Sequence, residues 1–377
     1  MKQTYRFAHL LACASLIAGT LSLWGCGSAS TYDPITPTRL VAFGDGLVDV
    51  GQTGRVDSVN NSGIKYRFTV NQVETSTTFN IGTTFIEVVA SYFGFGSVSS
   101  ALNTVGNLPG SGAYSYGEYG AMVLGDLGVG ADSRGCVKDA TTAKKYCANS
   151  LKAQIDLFFT QGSPSSNDLF VISIGTGDIM SNGSAAAGLS KAQTDAAMLA
   201  AAKGLAAQVK RLTDAGAKYV LVVGPPNVGR SPWASENGND ATKLQNLSYN
   251  TGSGYTSMGS EGLAQIQSTF GNKTNNPVLF VEISGLVNTL TDGSNATFVN
   301  KTNKVCKNTT AAADPVYMSI DGTLGQISAA VCTTATASLN GDPGTFVYAD
   351  GVNFTPSMQG QFYSQAVTRM RLAAWIN

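Results

Sequence analysis

The chain has 377 residues, of which 43% are hydrophobic and only 13% charged, with 24 basic residues against 24 acidic ones. That length suits one large domain or two smaller ones, and recurrent apolar segments at near-zero net charge exclude intrinsic disorder. A neutral chain holds no electrostatic attraction for nucleic acid or for an anionic surface, so nucleic acid is not an expected partner.

The N-terminus follows the secretory plan: Lys2 and Arg6 precede an apolar core from Ala8 to Leu23. Leu23-Trp24-Gly25-Cys26 resembles a bacterial lipobox, which makes residues 1–25 a lipoprotein signal peptide and Cys26 the lipidated residue. Gly27 after the cysteine favours the outer membrane. Ordinary cleavage after Gly27-Ser28-Ala29 is the alternative and would give a soluble periplasmic or secreted protein. A permanent transmembrane helix is excluded because the apolar run falls short of the ~20 residues a span needs. Removing residues 1–25 leaves 22 basic residues against 24 acidic, and it removes His9, the only histidine in the chain. Residues 26–36 are polar and read as a tether.

The domain proper is expected over residues 37–377. Arg39 to Phe43 is a compact apolar run halted by Gly44-Asp45-Gly46, a buried strand and turn. Tyr66 to Val73 alternates loosely and reads as a small hairpin. Phe85, Val88, Val89 and Tyr92 recur at helical spacing. Leu108 to Asn149 is Gly-rich and polar, a long functional or covering loop. Leu151 to Phe159 is a helix, Asp168 to Ile174 a central strand, and Ala192 to Ala215 the strongest helix, stopped by Gly216. Tyr219 to Val223 is a strand ended by Gly224-Pro225-Pro226. Leu244 to Phe270 is helical with a Gly-weakened middle, and Val278 to Ile283 is a strand. Residues 291–347 form a Thr/Asn/Gly-rich insertion, and Pro356 to Ile376 is the closing helix. Strands alternating with helices imply a parallel sheet covered on both faces.

Four cysteines remain beyond the signal and Cys26. An even number in an oxidising compartment implies disulfides. Of three connectivities, Cys136–Cys147 with Cys306–Cys332 is the most local. Without histidine and at these spacings a metal site is not expected.

In an open parallel sheet, sites form at the carboxyl ends of strands. Three ordered blocks there resemble those of the SGNH/GDSL hydrolase family. Val41-Ala42-Phe43-Gly44-Asp45-Gly46-Leu47-Val48-Asp49 is similar to the family's GDSL block, with Gly46 where the serine stands. Ile174-Gly175-Thr176-Gly177-Asp178 resembles the Gly-x-Asn-Asp block, with Gly177 for asparagine. Tyr348 to Pro356 resembles Asp-x-x-His-Pro-Thr-Pro, with Asp350 kept, Asn353 for histidine and Phe354 for proline. Tyr119-Gly120-Ala121 is the best match to the block that supplies an oxyanion glycine. The Val222–Gly229 segment is similar to the family's apolar strand and proline-rich turn, and the cysteine-bearing insertion resembles that of its exported bacterial members.

The resemblance implies a three-layer αβα sandwich, flavodoxin-like, around a mostly parallel sheet, with disulfide-bearing loop insertions and no cofactor. It also implies a job for each lost residue. Serine attacks the ester, histidine takes its proton, and the aspartate three positions earlier orients the imidazole. The N–H groups at positions 46 and 120 and the amide at 177 cradle the oxyanion. Losing a nucleophile or base costs on the order of 10⁶ in turnover. The leading expectation is therefore a pseudoenzyme lipoprotein that binds an acyl/ester or glycan-type ligand or a partner. A working carboxylic-ester hydrolase with another nucleophile, for which Ser173 and Ser357 are candidates, is the first alternative. A structural surface lipoprotein with a closed cleft is the second. Asp45, Asp49 and Asp178 are expected to brace loops.

Overall fold

In the computed structural model, Arg39–Gly44 forms strand β1 near the middle of a six-stranded sheet. The structure describes residues 34–52, 67–72, 82–102, 104–125, 138–139, 143–144, 148–236, 238–249, 252, 254–271, 276–307, 329–334 and 339–377. The signal segment with His9, the lipobox Cys26 and the Cys136–Cys147 pair lie outside these residues.

After β1 come helix α1 (Phe85–Tyr92), the short strands β2 (Val98–Ser100) and β3 (Gly112–Ser115), and helix α2 (Leu151–Gln161). Strand β4 (Asp168–Ser173) leads into helices α3 (Thr176–Gly183) and α4 (Lys191–Asp214), and strand β5 (Tyr219–Val223) into α5 (Ala241–Ser248) and α6 (Met258–Phe270). Strand β6 (Val278–Val281), helix α7 (Ser284–Thr291), strands β7 (Asn300–Lys304) and β8 (Phe346–Tyr348), and helix α8 (Pro356–Leu372) complete the order.

The sheet runs β2-β3-β1-β4-β5-β6, and every ladder in it is parallel. Both faces are buried, which explains the unbroken apolar runs of β1, β4 and β5. Val41, Phe43, Phe170, Ile172, Val220 and Val222 point to one face, against α2, α4 and α6. Leu40, Ala42, Leu169, Val171, Leu221 and Val223 point to the other, against α1, α7 and α8. The fold is the expected αβα sandwich.

Strand order reverses beside β1: the chain leaves β1 toward β2 and leaves β4 toward β5. The crevice at the carboxyl ends of β1 and β4 is therefore the place where such sheets hold a site.

Several expectations change. Leu108 to Asn149 is not all loop, since Gly112–Ser115 is β3, inserted between β2 and β1 with Ala113 paired to Leu40. Its Gly-Ala-Tyr-Ser sequence carries no apolar run, so only its neighbours make it a strand. Arg67 to Asn71 is a turn, not a hairpin. The Asn71 amide closes it by accepting from the Arg67 and Gly82 N–H groups and donating to the carbonyls of Arg67, Thr69, Ala329 and Cys332. Residues 244–270 split into α5 and α6. Within the insertion, β7 pairs in parallel with β8, and Cys306–Cys332 is formed as expected, 26 residues apart.

Candidate functional site

β1 ends at Gly44, whose φ of +133° only glycine adopts comfortably; a Cβ there would lie 1.7 Å from the Ser173 carbonyl oxygen. Gln154 on α2 clamps this residue from both sides: the Gly44 N–H donates to its Oε1 at 2.7 Å and its Nε2 donates to the Gly44 carbonyl at 3.0 Å. The Asp45 N–H then donates to the Ser173 carbonyl at 2.8 Å, joining the ends of β1 and β4. Gly46 follows at the mouth of the crevice.

Four of the five positions singled out from the sequence come together. Gly46, Gly120, Gly177 and Asn353 line one cavity of about 20 Å³, with Asp45, Tyr119, Thr176, Met180, Pro226 and Phe354 among the other walls. A single water needs about 10–15 Å³, so the enclosed part of the cavity is of the order of one water.

Asp350 is fully buried and does not line the cavity. One carboxylate oxygen accepts from the Val352 and Asn353 N–H groups at 2.8 and 2.7 Å; the other accepts from the Ala329 N–H at 2.6 Å and from Asn353 Nδ2 at 2.9 Å. Asn353 thus makes the contact with Asp350 that an imidazole would make at this position. Its Oδ1 lies 3.1 Å from where a Cβ on Gly46 would stand, and the Tyr119 ring lies equally near. Tyr119 is held there by its N–H bond to Asp49 and by stacking on Phe68, with ring centroids 4.1 Å apart.

Gly177 is more tightly enclosed. A Cβ there would stand 2.3 Å from the Ala121 carbonyl oxygen and 2.9 Å from that of Gly120. The backbone of residues 120–121 occupies the space that any side chain at 177 would need. An asparagine there requires that segment to move.

The three aspartates do brace the loops. Asp49 accepts from the N–H groups of Gly51, Gln52 and Tyr119, all at 2.8 Å. Asp178 accepts from the Val123 N–H. At Asp45, burial pushes the carboxyl up to about 7, outweighing the Thr176 hydroxyl and amide and the Leu47 N–H beside it, which favour its charged form. Burial, with the Asp45 charge adding to it, pushes Asp178 up to about 7 as well.

Neither alternative nucleophile reaches the cavity. Ser173 is a buried residue at the end of β4, and Ser357 is exposed in the first turn of α8. Among the described residues, no Ser, Cys, Lys or His lines the cavity. The lining hydroxyls belong to Thr176 and Tyr119. Thr176, Met180 and Pro226 were missed in the sequence. Thr176 opens α3 just after β4 and Pro226 stands in the turn after β5, so reading every segment at a strand's carboxyl end as lining would have found them.

A family model described as GDSL-like Lipase/Acylhydrolase matches residues 40–364. No curated protein matches the chain.

Proposed function

The chain belongs to the GDSL-like lipase/acylhydrolase family, and from that premise we propose that it is a pseudoenzyme of the cell envelope, anchored through Cys26 and acting by binding an acyl/ester or glycan-type ligand or a partner. The observation that carries this reading is Asn353, bonded to Asp350 and facing a glycine at position 46. An asparagine amide cannot take up a proton at neutral pH, and glycine has nothing to attack with. What survives of such a constellation gives about 10³–10⁴ over water at best, and an oxyanion amide is gone as well.

Fluorophosphonate labelling of the purified protein, followed with p-nitrophenyl butyrate hydrolysis, tests the reading. No label and no turnover above the background rate are expected. Label recovered on Thr176, which lines the cavity together with Asp45, would overturn it in favour of a hydrolase with an unusual nucleophile and base.

The size of the cavity favours a second reading, in which the cleft is closed and the protein works through its outer surface. Titration with butyrate and N-acetylglucosamine, watched by NMR at Tyr119 and Asn353, separates the two: shifts at both residues support an open ligand site, and none supports closure.

A further inference from the structure

The end of the sheet opposite the cleft carries an aromatic face that no other described residue covers. An open groove of about 310 Å³ lies there, lined by Pro34, Pro37, Tyr92, Phe93 and Ile376. Tyr92 is 38% exposed, and its ring stands 5.0 Å from that of Phe93 and 6.1 Å from that of Tyr363 on α8. Arg369 and Arg371 sit in the last turn of α8, and Arg371 Nε donates to the Asn377 carbonyl at the rim of the groove. Tyrosines with an apolar body and a wet hydroxyl, flanked by arginines, suit the zone between lipid headgroups and acyl chains.

The chain itself says what covers this face. Its first described residue, Pro34, lines the groove, and the Ile35 N–H is bonded to the Trp375 carbonyl at 2.7 Å. Only eight residues, Cys26 to Asp33, precede it after the lipobox. Fully extended they span about 26–29 Å. A bilayer holding Cys26 therefore stays within that distance of the groove.

We propose that this aromatic face rests on the phospholipid bilayer that holds lipidated Cys26. The proposal depends on the reading of Cys26 as the anchored residue. It fixes the orientation of the molecule. Helix α8 starts three residues after Asn353 and runs 17 residues to the groove end, about 25 Å. The cleft then opens away from the anchoring membrane, and whatever binds there arrives from the aqueous side.

The test uses the mature chain with its own anchor, reconstituted into phosphatidylethanolamine–phosphatidylglycerol vesicles containing dibrominated phosphatidylcholine. Tyr92→Trp places a reporter on the face. Leu124→Trp places one beside Val123 at the cleft end, where Leu124 is 47% exposed. After subtraction of the unsubstituted protein, loss of emission is expected from the first reporter and not from the second. Co-flotation without quenching of Tyr92→Trp, or quenching of Leu124→Trp instead, overturns the proposal alone. A chain that does not float with the vesicles overturns the anchor reading and this proposal with it.

Discussion

At the residue scale, Gly46 and Gly177 differ in the space around them. At Gly46 an added Cβ meets Asn353 Oδ1 and the Tyr119 ring at 3.1 Å, and side-chain rotations relieve both contacts. At Gly177 the obstacle is backbone, 2.3 Å away. Gly177→Asn is expected to lower stability by about 1–3 kcal/mol through overpacking, and Gly46→Ser by clearly less, read from urea unfolding midpoints. It follows that Gly46→Ser, Gly177→Asn and Asn353→His together do not restore an esterase unless residues 120–121 also shift; esterase turnover by the triple variant would show that they do. Asp350 accepts four hydrogen bonds from three residues. Asp350→Ala strands three buried N–H groups at about 1–3 kcal/mol each, whereas Asn353→Ala removes one of four donors to Asp350. The first substitution should cost far more than the second in the same unfolding assay.

The buried acids add a pH signature at this scale. The folded-state values of Asp45 and Asp178 lie near 7, above the ordinary 3.8, so between those limits the folded protein holds more protons than the unfolded chain. Their contribution to stability is present below about pH 4 and is lost as pH rises toward 7. The Asp45→Asn/Asp178→Asn variant should show a smaller fall in melting temperature from pH 5 to pH 8 than the unsubstituted protein. An equal or larger fall would mean that these carboxyls are ionised throughout.

At the element scale, the loops that close the cleft are fixed from a distance. Asn71 binds the Arg67–Asn71 turn to the Ala329 and Cys332 carbonyls, and that turn carries Phe68, which stacks on Tyr119 over Gly46. Asn71→Ala leaves several buried carbonyls and N–H groups unpaired and frees the turn. Faster limited proteolysis between residues 329 and 334 is the expected outcome, together with larger chemical-shift changes at Tyr119 than at Gln154. The strand pattern was legible wherever a strand is buried on both faces, as in β1, β4 and β5, because the apolar run is then continuous. β3 and the Asn71 turn were not legible. β3 is four residues long and its partners lie more than 70 positions away in the case of β1, while the turn's partner is the disulfide segment some 260 residues downstream.

At the scale of the whole molecule, Cys306–Cys332 closes a 26-residue separation and holds the small third core that includes Val70, Val305, Phe346 and Ala349. Chain entropy assigns such a loop about 3–4 kcal/mol. Reduction should lower the unfolding free energy by up to that amount, and loosen Ala329 from Asp350 before the main sheet opens. Hydrogen exchange that is fastest at residues 329–334 after reduction checks the order. Exchange rising uniformly across β1 and β4 would show a single cooperative unit instead.

By itself the sequence determined the alternation of strands and helices and the family to which the chain belongs. These are local matters: apolar periodicity, turn residues and short motifs need only a few neighbours to be read. Tertiary structure decided that Gly46, Gly120, Gly177 and Asn353 share one cavity, that Tyr119 and the backbone of residues 120–121 fill most of it, and that Asn353 is bonded to Asp350. Those facts depend on close packing between segments hundreds of residues apart, where differences of an ångström separate an open cleft from a space for one water.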